Sequence, residues 1–64
     1  MEDLELKKVY KNPLNIQNIN NPSEEVQLIA VKKNGLTLKF IKNPSEEVKK
    51  SAIINNPLAL GGLL

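Results

Sequence analysis

A six-residue phrase that occurs twice in this chain constrains its fold more than any other feature. Asn-Pro-Ser-Glu-Glu-Val begins at Asn21 and again at Asn43, 22 residues later. A period of this length is typical of repeat units that cannot bury their apolar faces alone and therefore stack on one another. The chain is predicted to be a tandem repeat of short units.

A third, more divergent copy precedes the two clear ones. When residues 1–20 are laid over residues 23–42, the apolar positions coincide while most polar positions differ. An asparagine followed by proline or glycine also recurs once per copy, at Asn12, Asn34 and Asn56. We divide the chain into unit one (1–20), unit two (21–42) and unit three (43–64), and expect them to form a single domain.

Each unit is predicted to begin with an α-helix. In units two and three the repeated phrase supplies Asn21 or Asn43 as the N-cap residue, a proline in the first turn and a glutamate three residues after the cap. If Ser23 and Ser45 are the caps instead, each helix begins two residues later. The phrase predicts a helix start in either case.

A second, shorter helix is predicted after the Asn-Pro or Asn-Gly pair, which is a turn signal that can end one helix and cap the next. A β-hairpin at Asn34-Gly35 is the alternative, but proline at the equivalent position of the other units is incompatible with hairpin turns. The predicted fold is all-α: a small right-handed, solenoid-like array of three helix-turn-helix repeats, with about six short helices.

Length and composition exclude several classes of protein. The chain has 64 residues with no Cys and no His, so a disulfide framework is excluded and a structural zinc site is not expected. No apolar run approaches the roughly 20 residues of a membrane span. Residues 1–5 include three acidic residues, whereas a secretory signal begins with basic residues. We expect a cytoplasmic protein without a cofactor.

No pattern in the sequence indicates catalysis. The three serines have no His to act as a general base. Glu24-Glu25 and Glu46-Glu47 are adjacent pairs, and adjacent side chains on a helix point about 100° apart, so neither pair forms a chelating face. Both pairs are explained by the helix dipole, which favours acids in the first turn. We predict no catalytic, cofactor-binding or metal-binding residue.

The end of unit three is unusually apolar. Gly61 and Gly62 are expected to stop the last helix. A solenoid normally ends in a polar cap, whereas this unit offers Ile53, Ile54, Leu58, Leu60, Leu63 and Leu64. A domain of this size is marginally stable alone. We therefore predict that this end binds a protein partner, and expect a homodimer.

Seven residues are the candidates for partner binding: Tyr10, Asn15, Asn18, Ile54, Leu60, Leu63 and Leu64. Tyr10 lies at a position that varies between units, and Tyr is frequent among the energetically dominant residues of interfaces. Asn15 and Asn18 have no cap position to explain them, so they line either a polar contact surface or face solvent. Phe40, the one Phe in the chain, is expected in the core.

Nucleic-acid binding is the main alternative function. Nine lysines recur with the repeat and could line one edge: Lys7, Lys8, Lys11, Lys32, Lys33, Lys39, Lys42, Lys49 and Lys50. However, seven acidic residues nearly balance them, Arg is absent, and only two aromatic residues are available to stack on bases. Contact with a protein is the preferred interpretation.

The sequence also resembles a known repeat. Residues 21–41 contain N-P-S-E-E-V-Q-L-x-A-V-x-x-N-G-L-x-L-x-x-I, which is similar to a short helical repeat of unknown function found in tandem in uncharacterised bacterial, phage and large-virus proteins. The match is close over 21–42, moderate over 43–60 and loose over 1–20. The resemblance implies an α-helical array used for contact. By analogy, a three-unit chain suits a small phage or mobile-element protein that binds and inhibits a host factor.

Overall fold

The computed structural model describes the backbone of residues 4–63 and the side chains of residues 4–61. In this part of the chain three α-helices alternate with three 3₁₀-helices, and no strand is present. The elements are α1 (Leu4–Lys11), η1 (Pro13–Asn18), α2 (Glu24–Lys33), η2 (Gly35–Phe40), α3 (Glu46–Asn55) and η3 (Pro57–Leu63). The all-α prediction is confirmed, and Asn34-Gly35 joins two helices rather than two strands.

Serine hydroxyls cap the second and third α-helices. Ser23 Oγ accepts a hydrogen bond from the Val26 amide, and Ser45 Oγ accepts one from the Val48 amide, each at 3.2 Å. The prediction of asparagine caps at this point was wrong, because the serine side chains reach the free amides of the first turn. Asn21 instead has a φ of 54°, in the left-handed region that Asn tolerates better than most residues.

Asparagine does have a capping role at the junction between the two helices of a unit. The Asn34 amide donates to the Ala30 carbonyl and completes α2, while its Oδ1 accepts from the Leu36 amide at 3.0 Å and caps η2. Asn12 and Asn56 repeat both bonds. The predicted end of one helix and start of the next at this asparagine is confirmed.

Gly61 and Gly62 lie inside η3 and do not end it. The expectation that they stop the last helix was wrong for the described backbone. Glycine ends helices mainly by adopting a left-handed conformation, and no glycine in the described part of the chain has a positive φ.

A single cluster of buried side chains forms the interior, and it draws on equivalent positions of the three units: Val9, Ile16, Val26, Ala30, Val31, Leu38, Ile41, Val48, Ala52 and Ala59. Phe40 packs partly buried against this cluster. Thr37 is fully buried, and its hydroxyl donates to the Asn34 carbonyl at 2.8 Å. Its polar group is therefore paired, so its burial carries little penalty.

Contacts between elements follow the order of the chain. α1 packs on α2 and α2 on α3, while η1 packs on η2 and η2 on η3; among the described residues α1 does not contact α3. The molecule measures 35 × 19 × 18 Å. Unit two is thus covered on both sides, and the two outer units are covered on one side each. No helix in residues 4–63 combines the length and apolar character needed to cross a membrane.

Candidate partner-binding surface

The contact between consecutive units, which we call the seam, shows how one unit packs on the next. At the seam between units two and three, η2 begins directly against α3. A Cβ atom placed on Gly35 would overlap the carbonyl oxygen of Ala52. Gly35 is buried and Ala52 is fully buried. The two backbones approach this closely only because both residues are small.

Asn55 holds the same seam by hydrogen bonds. Its Oδ1 accepts from the Gly35 amide at 2.7 Å, and its Nδ2 donates to the Lys32 carbonyl at 2.8 Å. The position equivalent to Gly35 in unit one is Pro13, which has no amide hydrogen to donate. The residue that would face it from unit two is correspondingly Lys33 rather than asparagine. The accepting side chain and the backbone N–H that donates to it are thus both absent from the seam between units one and two.

Lys33 joins units one and two in a different way. Its ammonium nitrogen lies 4.1 Å from the centroid of the Tyr10 ring, at a distance typical of a cation–π contact. At the other seam, the Ser45 hydroxyl lies 3.2 Å from Glu24 Oε2, to which it can donate. Polar groups therefore line the edges of both seams, while the buried alanines and valines fill their centres.

Glu46 occupies the position of Glu24 in the last unit. Its Oε2 lies 3.0 Å from the Lys49 ammonium. The hydrogen bond and the positive charge of Lys49 lower the pKa of the Glu46 carboxyl. This carboxylate is therefore paired within its own helix and is not a free acidic group.

The end of unit three exposes positions that are buried in the other units. Leu60 is 52 % exposed, whereas the equivalent Ile16 and Leu38 are 1 % and 2 % exposed. Pro57 is exposed where Gly35 is buried. No following unit covers unit three in the described residues, and the difference in exposure follows from that. We call the apolar residues that unit three leaves wholly or partly exposed the C-terminal end face; it comprises Ile53, Ile54, Pro57, Leu58 and Leu60. The positions of Ile54 and Leu58 are exposed in the other units as well.

Two of the seven predicted partner-binding residues lie on this face. Ile54 on α3 is 83 % exposed, and Leu60 lies on η3, which packs against α3. Leu63 is the last residue of η3, but its side chain lies outside the described part of the chain, and Leu64 lies outside the described residues altogether. The face is therefore defined by α3 and the first half of η3.

The other three predicted residues lie in unit one, away from this face. Tyr10 is 64 % exposed. Asn15 is half-buried, and its Nδ2 donates to the Lys8 carbonyl at 2.9 Å, which satisfies an acceptor at the end of α1. Asn18 is exposed at the end of η1. Since neither α1 nor η1 contacts unit three in the described structure, the five candidates with described side chains do not form one surface.

Sequence reasoning missed a row of exposed leucines, which we call the leucine row. Leu14, Leu36 and Leu58 each follow the first residue of a 3₁₀-helix and are 44 %, 40 % and 75 % exposed. A position that is apolar in every unit is normally interpreted as core, so the sequence pattern alone concealed this exposure. Because η1 packs on η2 and η2 packs on η3, the row ends at Leu58, which also belongs to the C-terminal end face.

The remaining polar groups of the described residues bear on two features, a metal site and unpaired buried polar atoms. No group of three or more acidic, His or Cys residues there could hold a metal ion. Every buried side-chain nitrogen or oxygen there has a hydrogen-bond partner. The C-terminal end face and the leucine row therefore offer apolar side chains for contact, with side-chain amides and lysines nearby on the surface.

Comparison with protein-family models, curated proteins and solved structures finds no match for this chain. The C-terminal end face and the leucine row are therefore interpreted from their own exposure and chemistry.

Proposed function

We propose that this protein is a non-enzymatic protein–protein interaction module, and that its C-terminal end face binds a second copy of the chain to form a homodimer. The module is a right-handed, solenoid-like array of three 22-residue units. Two observations support the array: the capping asparagines Asn12, Asn34 and Asn56 recur at that interval, and the described elements contact only their neighbours.

The exposure of Leu60 is the observation that carries the binding proposal. Large apolar side chains that are left in water become favourable contacts when they are buried, by about 25 cal/mol for each Å² removed from solvent. Ile54, Leu58 and Leu60 are such side chains, and they lie on α3 and η3, which pack against each other. A two-fold dimer buries the same patch on both copies and closes the assembly.

Dimerisation is tested by light scattering and sedimentation at micromolar concentration. We expect a mass twice that of the 7.1 kDa chain. Leu60→Asp should give a monomer with lower stability, because a charge replaces an apolar side chain of the face. Leu36→Asp is the matched control: Leu36 belongs to the leucine row but not to the C-terminal end face, so this variant should remain dimeric. A folded wild-type monomer at these concentrations contradicts the homodimer.

Within the same proposal, the partner in the cell is a host factor and the protein is a cytoplasmic inhibitor encoded by a phage or mobile element. This step rests on analogy with the repeat proteins that the sequence resembles. Copurification from the host followed by an activity assay of the captured factor tests it: the protein should lower the activity of that factor, and a captured factor whose activity is unchanged contradicts the inhibitor role.

Nucleic-acid binding through repeat-spaced lysines is less favoured. Lys33 lies over Tyr10, Lys39 lies 5.3 Å from the centroid of the Phe40 ring, and Lys49 pairs with Glu46. Several lysines are thus engaged with groups of the chain itself. Binding of a DNA duplex or single strand that weakens steeply with added salt would favour this alternative over protein contact.

A further inference from the structure

α2 packs on unit one by one of its sides, and α3 packs on unit two by the equivalent side. The equivalent side of α1 has no preceding unit among the described residues. Val26 and Ala30 of α2, and Val48 and Ala52 of α3, are fully buried. The next residue along each of these helix sides contacts the preceding unit. Lys33 lies over the Tyr10 ring, and Asn55 accepts a hydrogen bond from the Gly35 amide. The equivalent residues of α1 are Leu4, Lys8 and Lys11, which we call the N-terminal end face.

Two of these three residues are compatible with a seam. Leu4 is 62 % exposed but is apolar like its equivalents Val26 and Val48. Lys11 is the same residue type as Lys33, which does lie at a seam in this structure. Neither residue prevents the N-terminal end face from packing on another unit.

Lys8 differs in kind from its equivalents. It replaces Ala30 and Ala52, and Ala52 lies where two backbones approach so closely that Gly35 has no room for a Cβ atom. A lysine at this point would have to place its long side chain and its charge between two packed units. The described residues of the C-terminal end face are all apolar, so burial of the ammonium group against them would be strongly unfavourable.

We propose that the C-terminal end face accepts a helical unit with a small residue at the position of Ala30 and Ala52, and that Lys8 prevents this chain's own N-terminal end face from binding there. The inference rests on the proposed binding role of the C-terminal end face. It adds that the face is specific for the seam pattern. Two compatible ends would make copies stack head to tail without closure, whereas one blocked end prevents that growth.

The variant Lys8→Ala tests this inference in the full-length chain. It restores the pattern of α2 and α3 on the N-terminal end face, and it should fold, because Lys8 is exposed and Ala favours helix. We expect the weight-average mass from light scattering to keep rising with concentration, while that of the wild type levels off. Lys50→Ala is the control, since it removes the same charge from an exposed position of α3 outside both end faces.

The double variant Lys8→Ala/Leu60→Asp locates the contact. It should lose the growth seen with Lys8→Ala, because Leu60 lies on the opposite end of the proposed stack. A mass for Lys8→Ala that equals the wild-type mass at every concentration overturns the inference, and so does growth that survives Leu60→Asp. If the wild type is monomeric and Lys8→Ala still grows, the homodimer fails and this inference stands. If the wild type is dimeric and Lys8→Ala has the same mass, the homodimer stands and this inference fails.

Discussion

Asparagine has two separate roles at the scale of single residues. Asn34 and its equivalents cap a 3₁₀-helix by a bond to an amide two residues away, which the adjacent glycine or proline made predictable. Asn55 bonds to groups that are 20 and 23 residues distant. No local pattern reveals such partners, because they are brought to Asn55 only when α3 packs on unit two.

Gly35 provides a prediction at this scale. Gly35→Ala should destabilise the protein by about 1–3 kcal/mol, because the new methyl group meets the backbone carbonyl of Ala52, which can move only if α3 shifts. Urea unfolding followed by circular dichroism measures the change in the free energy of unfolding.

The same substitution at Gly61 is the control. A Cβ atom there has open space around it, so Gly61→Ala should be neutral or stabilising by up to about 1 kcal/mol through the entropy of the unfolded chain. Equal losses of stability for the two variants would show that close packing at the seam is not the cause.

At the scale of elements, the sequence predicted that helices exist but not which kind. Each second helix is a 3₁₀-helix of six or seven residues. Such short segments lack the length to gain much from α-helical hydrogen bonds, and the tighter geometry is common in connecting pieces. The choice between serine and asparagine as the cap of α2 and α3 was likewise open, since both residue types favour that position.

Asn55 provides the prediction for the packing of one element on another. Asn55→Ala removes both of its bonds to unit two and leaves the buried Gly35 amide unpaired, which should cost about 1–3 kcal/mol. Hydrogen exchange should show faster exchange of the Gly35 amide. Asn20→Ala, at an exposed position with no hydrogen bond among the described residues, should leave both measurements unchanged.

At the scale of the whole molecule, equivalent positions have different surroundings according to their unit. The sequence indicated the number of units and the apolar end of unit three, because both depend on the repeated pattern. It did not reveal the leucine row, because an apolar residue recurs in the sequence in the same way whether its side chain is buried or exposed. Exposure at Leu36 is decided by how neighbouring 3₁₀-helices pack, which is a property of the assembled chain.

Leu38 and Leu60 provide the prediction at this scale. Leu38→Ala should destabilise the protein by about 2–5 kcal/mol, because it opens a cavity at a fully covered position. Leu60→Ala should cost much less at low protein concentration, since Leu60 is half exposed. Thermal unfolding at several concentrations separates the two effects. Similar losses at low concentration would contradict the difference in burial between the two positions.

Contacts that join only neighbouring units also affect the order in which the structure forms. Among the described residues, contacts between units close loops of about one repeat, such as the 20 and 23 residues that the Asn55 bonds span, and no contact joins unit one to unit three. The entropy lost before the first favourable contacts is therefore that of loops of this length. Unit two touches a neighbour on each side, and ordering can therefore start there and spread in both directions. Under heat or denaturant, the same asymmetry makes the outer helices fray first while the middle of the chain persists.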